Sequence, residues 1–400
     1  MENNPLLNLR HLLCAVEIHD LGSLTAAADR IHLSQSALTQ GINKIEKDIG
    51  FALFDRTNSG MLATTIGLVF LSRAKRAFDQ LYNFSASLYP ADKTKRQSFV
   101  RSVTSKQLTA LITITDSNSY TLAASRLGLS QPSLHKSIKN LEQLCGQKLF
   151  YRSPIGVEPT WRARQLKRYA NLFFAEIEQG LEELRESNGR MDGLVRIGTL
   201  PLSSSAIVPQ SVLTLLDTFP LAKVRIIDGP YEEQLQALLH GELDVIVGAL
   251  RQPVPHADVA QYKLFDDPLS IITKADHFMA NIHELSDHTL QNLEWIIPSK
   301  GVPSRQVFDD IFASRGLNPP TKIIECSALA AIRGILLNSE RASLLPARQM
   351  EIEIKNNLLA VCPATLSATK REIGMTVRKA WHPTAVQKQF LRILESGYLV

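Results

Sequence analysis

The chain of 400 residues contains one stretch of 34 residues twice. The first copy runs from Ser23 to Arg56 and the second from Ser119 to Arg152, and 15 of the 34 positions are identical without gaps. A match of that size indicates an internal duplication, because helical patterning alone repeats apolar positions and not polar identities. Any fold for this chain must therefore contain the same supersecondary unit two times.

Apolar residues in the second copy recur at three- and four-residue steps on both sides of Gly128. This spacing predicts a helix, a short turn and a second amphipathic helix, which together form a helix-turn-helix with its recognition helix at about 130–142. Ser130 is suited to cap that helix by accepting a free first-turn amide. Pro132 then falls in the first turn, where its missing N–H costs nothing.

The polar faces of the two recognition helices predict contacts with double-stranded DNA. Amides, hydroxyls and cations are the groups that reach base edges and phosphates. An ordinary helical hairpin is the simpler alternative, but it does not account for two copies that both keep this face. The candidates are Gln131, Ser133, His135, Lys136, Lys139 and Arg152 in the second copy, and Gln35, Ser36, Thr39, Gln40, Asn43, Lys44 and Arg56 in the first.

The positive charge of the chain is concentrated around the second copy. Residues 91–165 contain 12 Lys and Arg against 4 Asp and Glu, whereas residues 1–90 contain 8 of each. Phosphate neutralisation supplies most non-specific affinity for DNA. We therefore expect the second copy to contribute more to DNA binding than the first.

Both copies resemble the N-terminal domain of the LysR-type transcriptional regulators. The shared pattern is S-x-T-x-A-A-x-x-L-x-x-S-Q-P-S-L-x-x-x-I-x-x-L-E-x-x-x-G-x-x-L-F-x-R, which the second copy matches almost throughout, while the first has Ser36 for the proline and Ile45 before Glu46. The family usually has another arginine three residues after this pattern, where this chain has Ser59 and Ile155. The family also normally has a single such domain. The resemblance implies a winged helix-turn-helix in each copy.

The sequence predicts an α+β multidomain fold with two winged helix-turn-helix domains, a linker helix and a two-lobed α/β effector domain. The basic segment ADKTKRQS (91–98) is expected to be a polar linker between the copies. The predicted boundaries are 1–90 for the first winged domain (helix-turn-helix about 24–43), 91–160 for the linker and second winged domain (helix-turn-helix about 120–139), 161–188 for the linker helix, and 191–400 for the effector domain.

The predicted linker helix carries an apolar stripe with the spacing of a seam between helices. In the resemblance this helix pairs two subunits, and we favour that role over packing of the stripe on its own domain. We accordingly expect a homodimer or homotetramer. The stripe consists of Leu166, Ala170, Phe173, Ile177, Leu181 and Leu184.

From Leu194 onward, apolar runs of strand length alternate with helical segments, which predicts parallel sheets. We expect lobe I at about 191–262 and 365–400, and lobe II at about 263–364. The segments LVRIGTL and GELDVIVGAL resemble the effector-binding domain of the same family, which is similar to a type 2 periplasmic binding protein.

Ligands of such sheets bind beyond the carboxyl ends of the strands. Ser203 and Ser204 precede a helix whose free amides attract anions, although N-capping explains these serines equally well. Arg251 suits an anionic ligand, with a surface charge as the alternative. The resemblance points to an aromatic acid or a sugar. The candidate effector contacts are Leu200, Ser203, Ser204, Tyr231, Arg251, Ser299 and Ser327.

No catalytic motif, metal-ligand spacing or cofactor-binding loop is present in the sequence, so we predict a regulator without catalytic residues, cofactor or metal. An enzyme, and a binding protein whose helix-turn-helix domains contact only proteins, are the alternatives. The four scattered cysteines are expected to be buried, with a thiol sensor as the alternative. Since no signal or membrane segment is apparent, we expect a cytoplasmic protein with no membrane partner. RNA polymerase is a further candidate partner.

Overall fold

A computed structural model describes residues 6–57, 60–154, 156–200, 207–364, 366 and 369–397. Within these ranges, residues 56, 57 and 60 are described by their backbone alone. The chain divides into two compact units. The first contains residues 1–193 together with 240–242, and the second contains the remainder.

The first unit contains two winged helix-turn-helix domains whose elements begin at equivalent positions, 96 residues apart. The elements of the first copy are α1 (Leu9–Leu21), α2 (Leu24–Ile31), α3 (Gln35–Ile49), β1 (Phe54–Thr57), β2 (Gly60–Ala63) and α4 (Thr65–Leu88). Helix α5 (Lys93–Ser102) follows. Those of the second copy are α6 (Ser105–Ser117), α7 (Tyr120–Leu127), α8 (Gln131–Cys145), β3 (Phe150–Ser153), β4 (Gly156–Pro159) and α9 (Trp161–Ser187).

The recognition helices α3 and α8 begin at serine caps. The Ala37 amide donates to Ser34 Oγ at 3.2 Å, and the Ser133 amide donates to Ser130 Oγ at 3.4 Å. These contacts satisfy amides that have no partner inside the helix. Pro132 lies in the first turn of α8. The predicted cap and first-turn proline are therefore confirmed.

The turn before each recognition helix has a left-handed backbone. Gly128 ends α7 with φ 62°, and His32 occupies the equivalent position after α2 with φ 59°. Glycine adopts this conformation without steric cost, whereas a side chain crowds the following carbonyl. The predicted turn at Gly128 is confirmed, and its counterpart in the first copy is strained.

Helix α4 of the first copy packs antiparallel against α9 of the second copy. Phe70 near the start of α4 lies beside Gly180 near the end of α9, and Phe84 near the end of α4 lies 6.1 Å from Tyr169 near the start of α9. The apolar residues of both copies form one continuous core. The two copies are thereby fused into a single folded body.

The packing of α9 corrects the prediction that its apolar stripe joins two subunits. Phe173 and Ile177 are buried within one chain, and the Phe173 ring meets Phe78 of α4 edge-on at a centroid distance of 5.5 Å. The physical reason is the duplication, because it places a partner helix for α9 on the same chain, where the effective concentration is high.

Residues 91–98 also differ from the prediction of a polar linker. Asp92 caps α5 by accepting the Lys95 amide at 2.9 Å, and the helix continues through this segment to Ser102. Phe99 and Val100 are 1% exposed, and the Phe99 ring lies 5.3 Å from Phe84. These two apolar side chains directly follow the basic segment, and their burial packs α5 against α4.

The second unit contains two lobes, each with a mixed five-stranded sheet. The elements of lobe I are β5 (Leu194–Thr199), α10 (Ile207–Thr218), β6 (Lys223–Asp228), α11 (Tyr231–Leu239), β7 (Val245–Ala249), β8 (Val259–Pro268), β14 (Lys370–Arg378) and α16 (Ala385–Ser396). Its strand order is β6-β5-β7-β14-β8, in which β6, β5 and β7 are parallel and β14 is antiparallel to both neighbours.

The elements of lobe II are β9 (Ser270–Lys274), α12 (Asp287–Asn292), β10 (Glu294–Ile297), α13 (Pro303–Ser314), β11 (Ile323–Glu325), α14 (Leu329–Leu337), β12 (Arg341–Leu345), α15 (Glu351–Lys355) and β13 (Leu359–Val361). Its strand order is β11-β10-β12-β9-β13, with β9 antiparallel to both neighbours.

The chain passes between the lobes twice, from β8 to β9 and from β13 to β14. The predicted change of lobe at about residue 262 falls inside β8, because this strand stays paired with β14 as far as Pro268. Separate apolar clusters fill the lobes. No helix in the described part of the chain is long and apolar enough to cross a membrane.

Candidate DNA-binding and effector sites

The predicted DNA-contacting side chains of α8 lie on one solvent-exposed face. Leu134, Ile138 and Leu141 turn into the core, which orients the opposite face outward. The exposed residues of this face are Gln131, Ser133, His135, Lys136 and Lys139. On α3 the corresponding face exposes Gln35, Ser36, Gln40, Asn43 and Lys44, with Thr39 half-buried.

A glutamine at the start of each recognition helix is held by the preceding helix. Gln35 Nε2 donates to Thr25 Oγ1 at 3.0 Å, and Gln131 Nε2 donates to Thr121 Oγ1 in the second copy. Each bond fixes the first residue that α3 or α8 presents to solvent. Sequence reasoning missed both threonines as positioning residues, although their identity in the two copies was the available signal.

The cations of the two faces have different surroundings. Lys44 Nζ lies 3.0 Å from Asp48 Oδ1 one turn later on α3, which neutralises part of its charge. Lys136 and Lys139 make no ion pair with the described residues. The His135 ring stacks on Tyr120 at a centroid distance of 3.9 Å, so one of its faces is occupied. The α8 face therefore offers the stronger positive charge.

The wings flank the recognition helices. Arg152 lies in β3 and is exposed, and Arg56 lies in β1 opposite Met61. Glu46 Oε1 accepts the Leu53 amide at 2.7 Å, which ties α3 to the strand that follows. Glu142 Oε1 accepts the Leu149 amide at 2.9 Å in the second copy. The wing tips at Ser59 and Ile155 lie outside the described residues.

In lobe I the structure brings Tyr231 and Arg251 together beyond the carboxyl ends of β6 and β7. The Arg251 guanidinium lies 4.4 Å from the centre of the Tyr231 ring. Gln261 of β8 clamps the backbone of Arg251, since its Oε1 accepts the amide at 3.0 Å and its Nε2 donates to the carbonyl at 3.3 Å. The sequence gives no signal for this clamp, because β8 reaches the site only through sheet pairing.

Several polar atoms at this edge of the sheet are buried without a hydrogen-bond partner among the described residues. They are Arg251 Nη1, Tyr231 Oη and Thr199 Oγ1. Burial lowers the pKa of Arg251 and raises the pKa of Tyr231. Arg251 is half-buried with an unpartnered Nη1, and its guanidinium forms no ion pair with a carboxylate of the described residues, which suits it to hold an anion. Thr199, the last residue of β5, was missed as a candidate although its position at a strand end was visible.

The remaining effector candidates divide between the lobes. Leu200 is buried directly after β5. In lobe II, Ser327 Oγ accepts the Ser299 amide at 3.2 Å and donates to Ser299 Oγ at 3.3 Å, beyond the ends of β11 and β10. Ser203 and Ser204 lie outside the described residues. The described residues contain no group of three or more His, Cys, Asp or Glu side chains placed to hold a metal ion.

Comparison with known protein families matches nearly the whole of this architecture. Residues 9–68 and 105–164 each match the bacterial regulatory helix-turn-helix protein family of the lysR type. Residues 188–398, more than half of the chain, match the LysR substrate binding domain. The chain belongs to the LysR family. It is a LysR-type transcriptional regulator with a duplicated helix-turn-helix domain and a substrate-binding domain.

Two curated relatives are transcriptional regulators. The chain is 29% identical over 371 residues to the HTH-type transcriptional regulator GalR of Pseudomonas putida, in an alignment that covers 93% of this chain and 92% of GalR. It is 29% identical over 241 residues to the regulator GltR of Bacillus subtilis, covering 60% of this chain and 78% of GltR. Neither copy fits into the small part of the chain left outside the GalR alignment, so that alignment covers at least part of each copy.

Solved structures share the fold. A full-length variant of OxyR from Pseudomonas aeruginosa superposes with a TM-score of 0.57 at 21% identity, covering 73% of this chain and 93% of that chain. The LysR family regulator CbnR superposes with a TM-score of 0.53 at 19% identity, covering 73% of this chain and 98% of that chain. These similarities establish the fold class predicted from the sequence, with helix-turn-helix and two-lobed α/β parts.

Proposed function

We propose that this regulator binds specific double-stranded DNA through α3 and α8, and that a small-molecule effector held between lobes I and II changes its DNA binding or its ability to activate transcription. DNA binding is assigned to residues 1–160 and effector binding to residues 191–400. The observation that carries the proposal is the repetition of an exposed, polar recognition face in both copies, on a chain that also has a two-lobed domain.

The effector is proposed to be an anion, with an aromatic carboxylate as the first class to test and a sugar as the second. The stacked pair of Tyr231 and Arg251 supports this choice, because the guanidinium supplies charge and the aromatic ring supplies an apolar surface. Ser299 and Ser327 offer hydroxyls in lobe II. An effector changes DNA binding through closure of the lobes only if the open and closed states have different affinities for the effector.

The DNA-binding arm of the proposal is tested by filter binding of genomic fragments. We expect a small set of fragments to be retained in competition with bulk DNA. Lys136→Ala is expected to lower the affinity for them, whereas Lys388→Ala, which removes an exposed cation from α16, leaves it unchanged. Retention of all fragments equally, or of none, contradicts the assignment of these faces to specific DNA.

The effector arm is tested by differential scanning fluorimetry with aromatic acids and sugars. We expect an aromatic carboxylate to raise the unfolding temperature, and Arg251→Gln and Ser299→Ala to reduce that shift. Affinity for DNA without effector should stay the same in both variants. If both retain the full ligand-induced shift, the effector site lies elsewhere.

Assembly, partners and location complete the proposal. Chains are proposed to associate as homodimers or homotetramers and to contact RNA polymerase when they activate transcription. Since the DNA partner is chromosomal, the protein is proposed to act in the cytoplasm. Light scattering of the full chain measures the assembly, and the same measurement with effector tests whether effector binding alters it.

A further inference from the structure

The pairing of α4 with α9 joins two different DNA-binding domains inside one chain. Residues 78 and 174 are equivalent in the two copies, and both are phenylalanines at the centre of the contact, where Phe173 lies 5.5 Å from Phe78 and 5.4 Å from Phe174. Because the helices are antiparallel and equivalent positions meet at their centre, the copies are related by approximate two-fold symmetry. That is the symmetry with which helix-turn-helix dimers bind two half-sites.

A buried charged cluster makes this pairing specific for unlike helices. Arg73 of α4 is 1% exposed and donates to three acceptors on α9: Gln179 Oε1 at 2.8 Å, Glu176 Oε2 at 3.2 Å and Glu183 Oε2 at 3.0 Å. Burial by itself would lower the pKa of Arg73, but hydrogen bonds and charges from Glu183 and Glu176 outweigh it and raise that pKa.

Pairing of two identical helices would not reproduce this cluster. The positions of α4 equivalent to the three acceptors are Gln80, Asn83 and Ser87, so an α4–α4 contact between chains gives Arg73 no carboxylate. The positions of α9 equivalent to Arg73 and Arg76, the two cations of the cluster, are Tyr169 and Leu172, so an α9–α9 contact does not supply Glu176 and Glu183 with a guanidinium from these positions. A buried charge without its partner is strongly disfavoured, so the pair of unlike helices is favoured over either pair of like helices.

We infer that one chain is a complete DNA-binding unit that occupies two adjacent and different half-sites. The inference rests on the proposed function and specifies the DNA partner. Its half-sites differ because the recognition faces differ: α3 presents Gln40 and Lys44 where α8 presents Lys136 and Asn140. An amide suits adenine, whereas a lysine suits guanine or a phosphate. The operator unit is therefore asymmetric, and one chain binds it without the recognition helices of a second chain.

The number of chains per duplex tests this inference directly. A retained DNA fragment is shortened to the minimal duplex that keeps full affinity, and sedimentation equilibrium measures the ratio of chains to duplexes at saturation. We expect one chain per duplex. This ratio holds even if chains associate through the second unit, because each chain then binds its own duplex. Two chains per minimal duplex overturns the inference while the proposed function stands.

A mixing experiment tests whether both helices act from the same chain. One variant carries Gln40→Ala and Lys44→Ala, and the other carries Lys136→Ala and Lys139→Ala. Each is expected to lose about tenfold or more in affinity for the minimal duplex. An equimolar mixture should recover none of this loss, since no chain then has two intact faces. Recovery in the mixture shows that faces from different chains cooperate and overturns the inference.

The footprints of the two variants give an independent readout. We expect the first variant to lose protection in one half of the duplex and the second variant in the other half. Loss of the same protected bases in both variants overturns the inference. If the full chain protects no duplex at all, the proposed function fails, and that outcome is distinct from two chains protecting one duplex.

Discussion

Substitution of Arg73 by methionine is expected to destabilise the α4–α9 pair more than any change of an exposed charge on α4. Methionine keeps most of the side-chain volume but removes the guanidinium. Glu183 then loses its cation, whereas Glu176 keeps its second partner, Arg76, at 3.2 Å. Removing one partner of a buried ion pair costs about 3–5 kcal/mol. The two glutamate side chains are 12% and 20% exposed, so water offsets part of this cost. We therefore expect a loss near the lower end, about 3 kcal/mol.

Lys75→Met is the matched control because it lies two residues away on the same helix. Its ion pair with Asp20 is 2.9 Å long, but the two side chains are 52% and 30% exposed. Exposed pairs contribute about 0–1 kcal/mol, so this variant should be close to the parent protein. A double variant with Arg73→Met and Glu183→Gln should recover part of the stability, because Glu183 is the carboxylate that loses its cation, while Glu176 keeps Arg76.

Hydrogen–deuterium exchange of peptides from residues 161–187 measures the effect. Exchange follows the opening of α9 itself, whereas a denaturation curve of the whole chain combines two folded units. We expect a loss of protection of roughly 100-fold for about 3 kcal/mol, in the slowest amides of α9. Equal protection in Arg73→Met and Lys75→Met would refute the reasoning that the buried cluster fixes the pair.

Three further outcomes follow from single residues. Lys136→Ala should weaken DNA binding more than Lys44→Ala, because Asp48 already neutralises part of the Lys44 charge. Lys136→Ala should also reduce the slope of log affinity against log salt concentration by about one unit. A DNA titration across a salt series measures both effects, and equal losses in the two variants would place the main phosphate contacts elsewhere. His32→Gly should stabilise the first unit by about 0.5–1 kcal/mol, since glycine removes the strain of a left-handed backbone at φ 59°. Gly128→His should destabilise that unit. Urea titrations measure both changes, and equal stability of the two variants would show that this turn is not strained. Thiol labelling at pH 8 should modify half-buried Cys326 before the three buried cysteines. Burial raises the pKa of Cys14 to about 11 and that of Cys145 to about 12, and it also raises the pKa of Cys362. Early modification of Cys145 would contradict its burial.

Local features of the DNA-binding domains could be predicted because each depends on residues close in the chain. The serine cap of α8, the turn at Gly128 and the polar recognition faces all follow from short spacings in the sequence. The lobes could be predicted from alternating strands and helices, but the end of β8 at Pro268 could not, since it depends on pairing with a strand about a hundred residues later.

The candidate effector site follows from the sequence only in part. Strand ends indicated Tyr231, Arg251, Ser299 and Ser327, and the structure joins them into one pair in each lobe. Gln261 and Thr199 were missed. The role of Gln261 comes from sheet pairing that brings β8 beside the end of β7, and the burial of Thr199 comes from packing above its strand.

The sequence by itself determined the two domains, their helices and the polarity of their surfaces, because helical periodicity, caps and turns act over a few residues. The sequence also showed the apolar stripe of α9. Such a stripe predicts that this face is buried, but it does not predict which surface packs against it. The tertiary structure decided that α4 of the same chain does so. The physical reasons are that Arg73 contacts Glu176, Gln179 and Glu183 in the α4–α9 pair, and that a partner helix on the same chain has a high effective concentration.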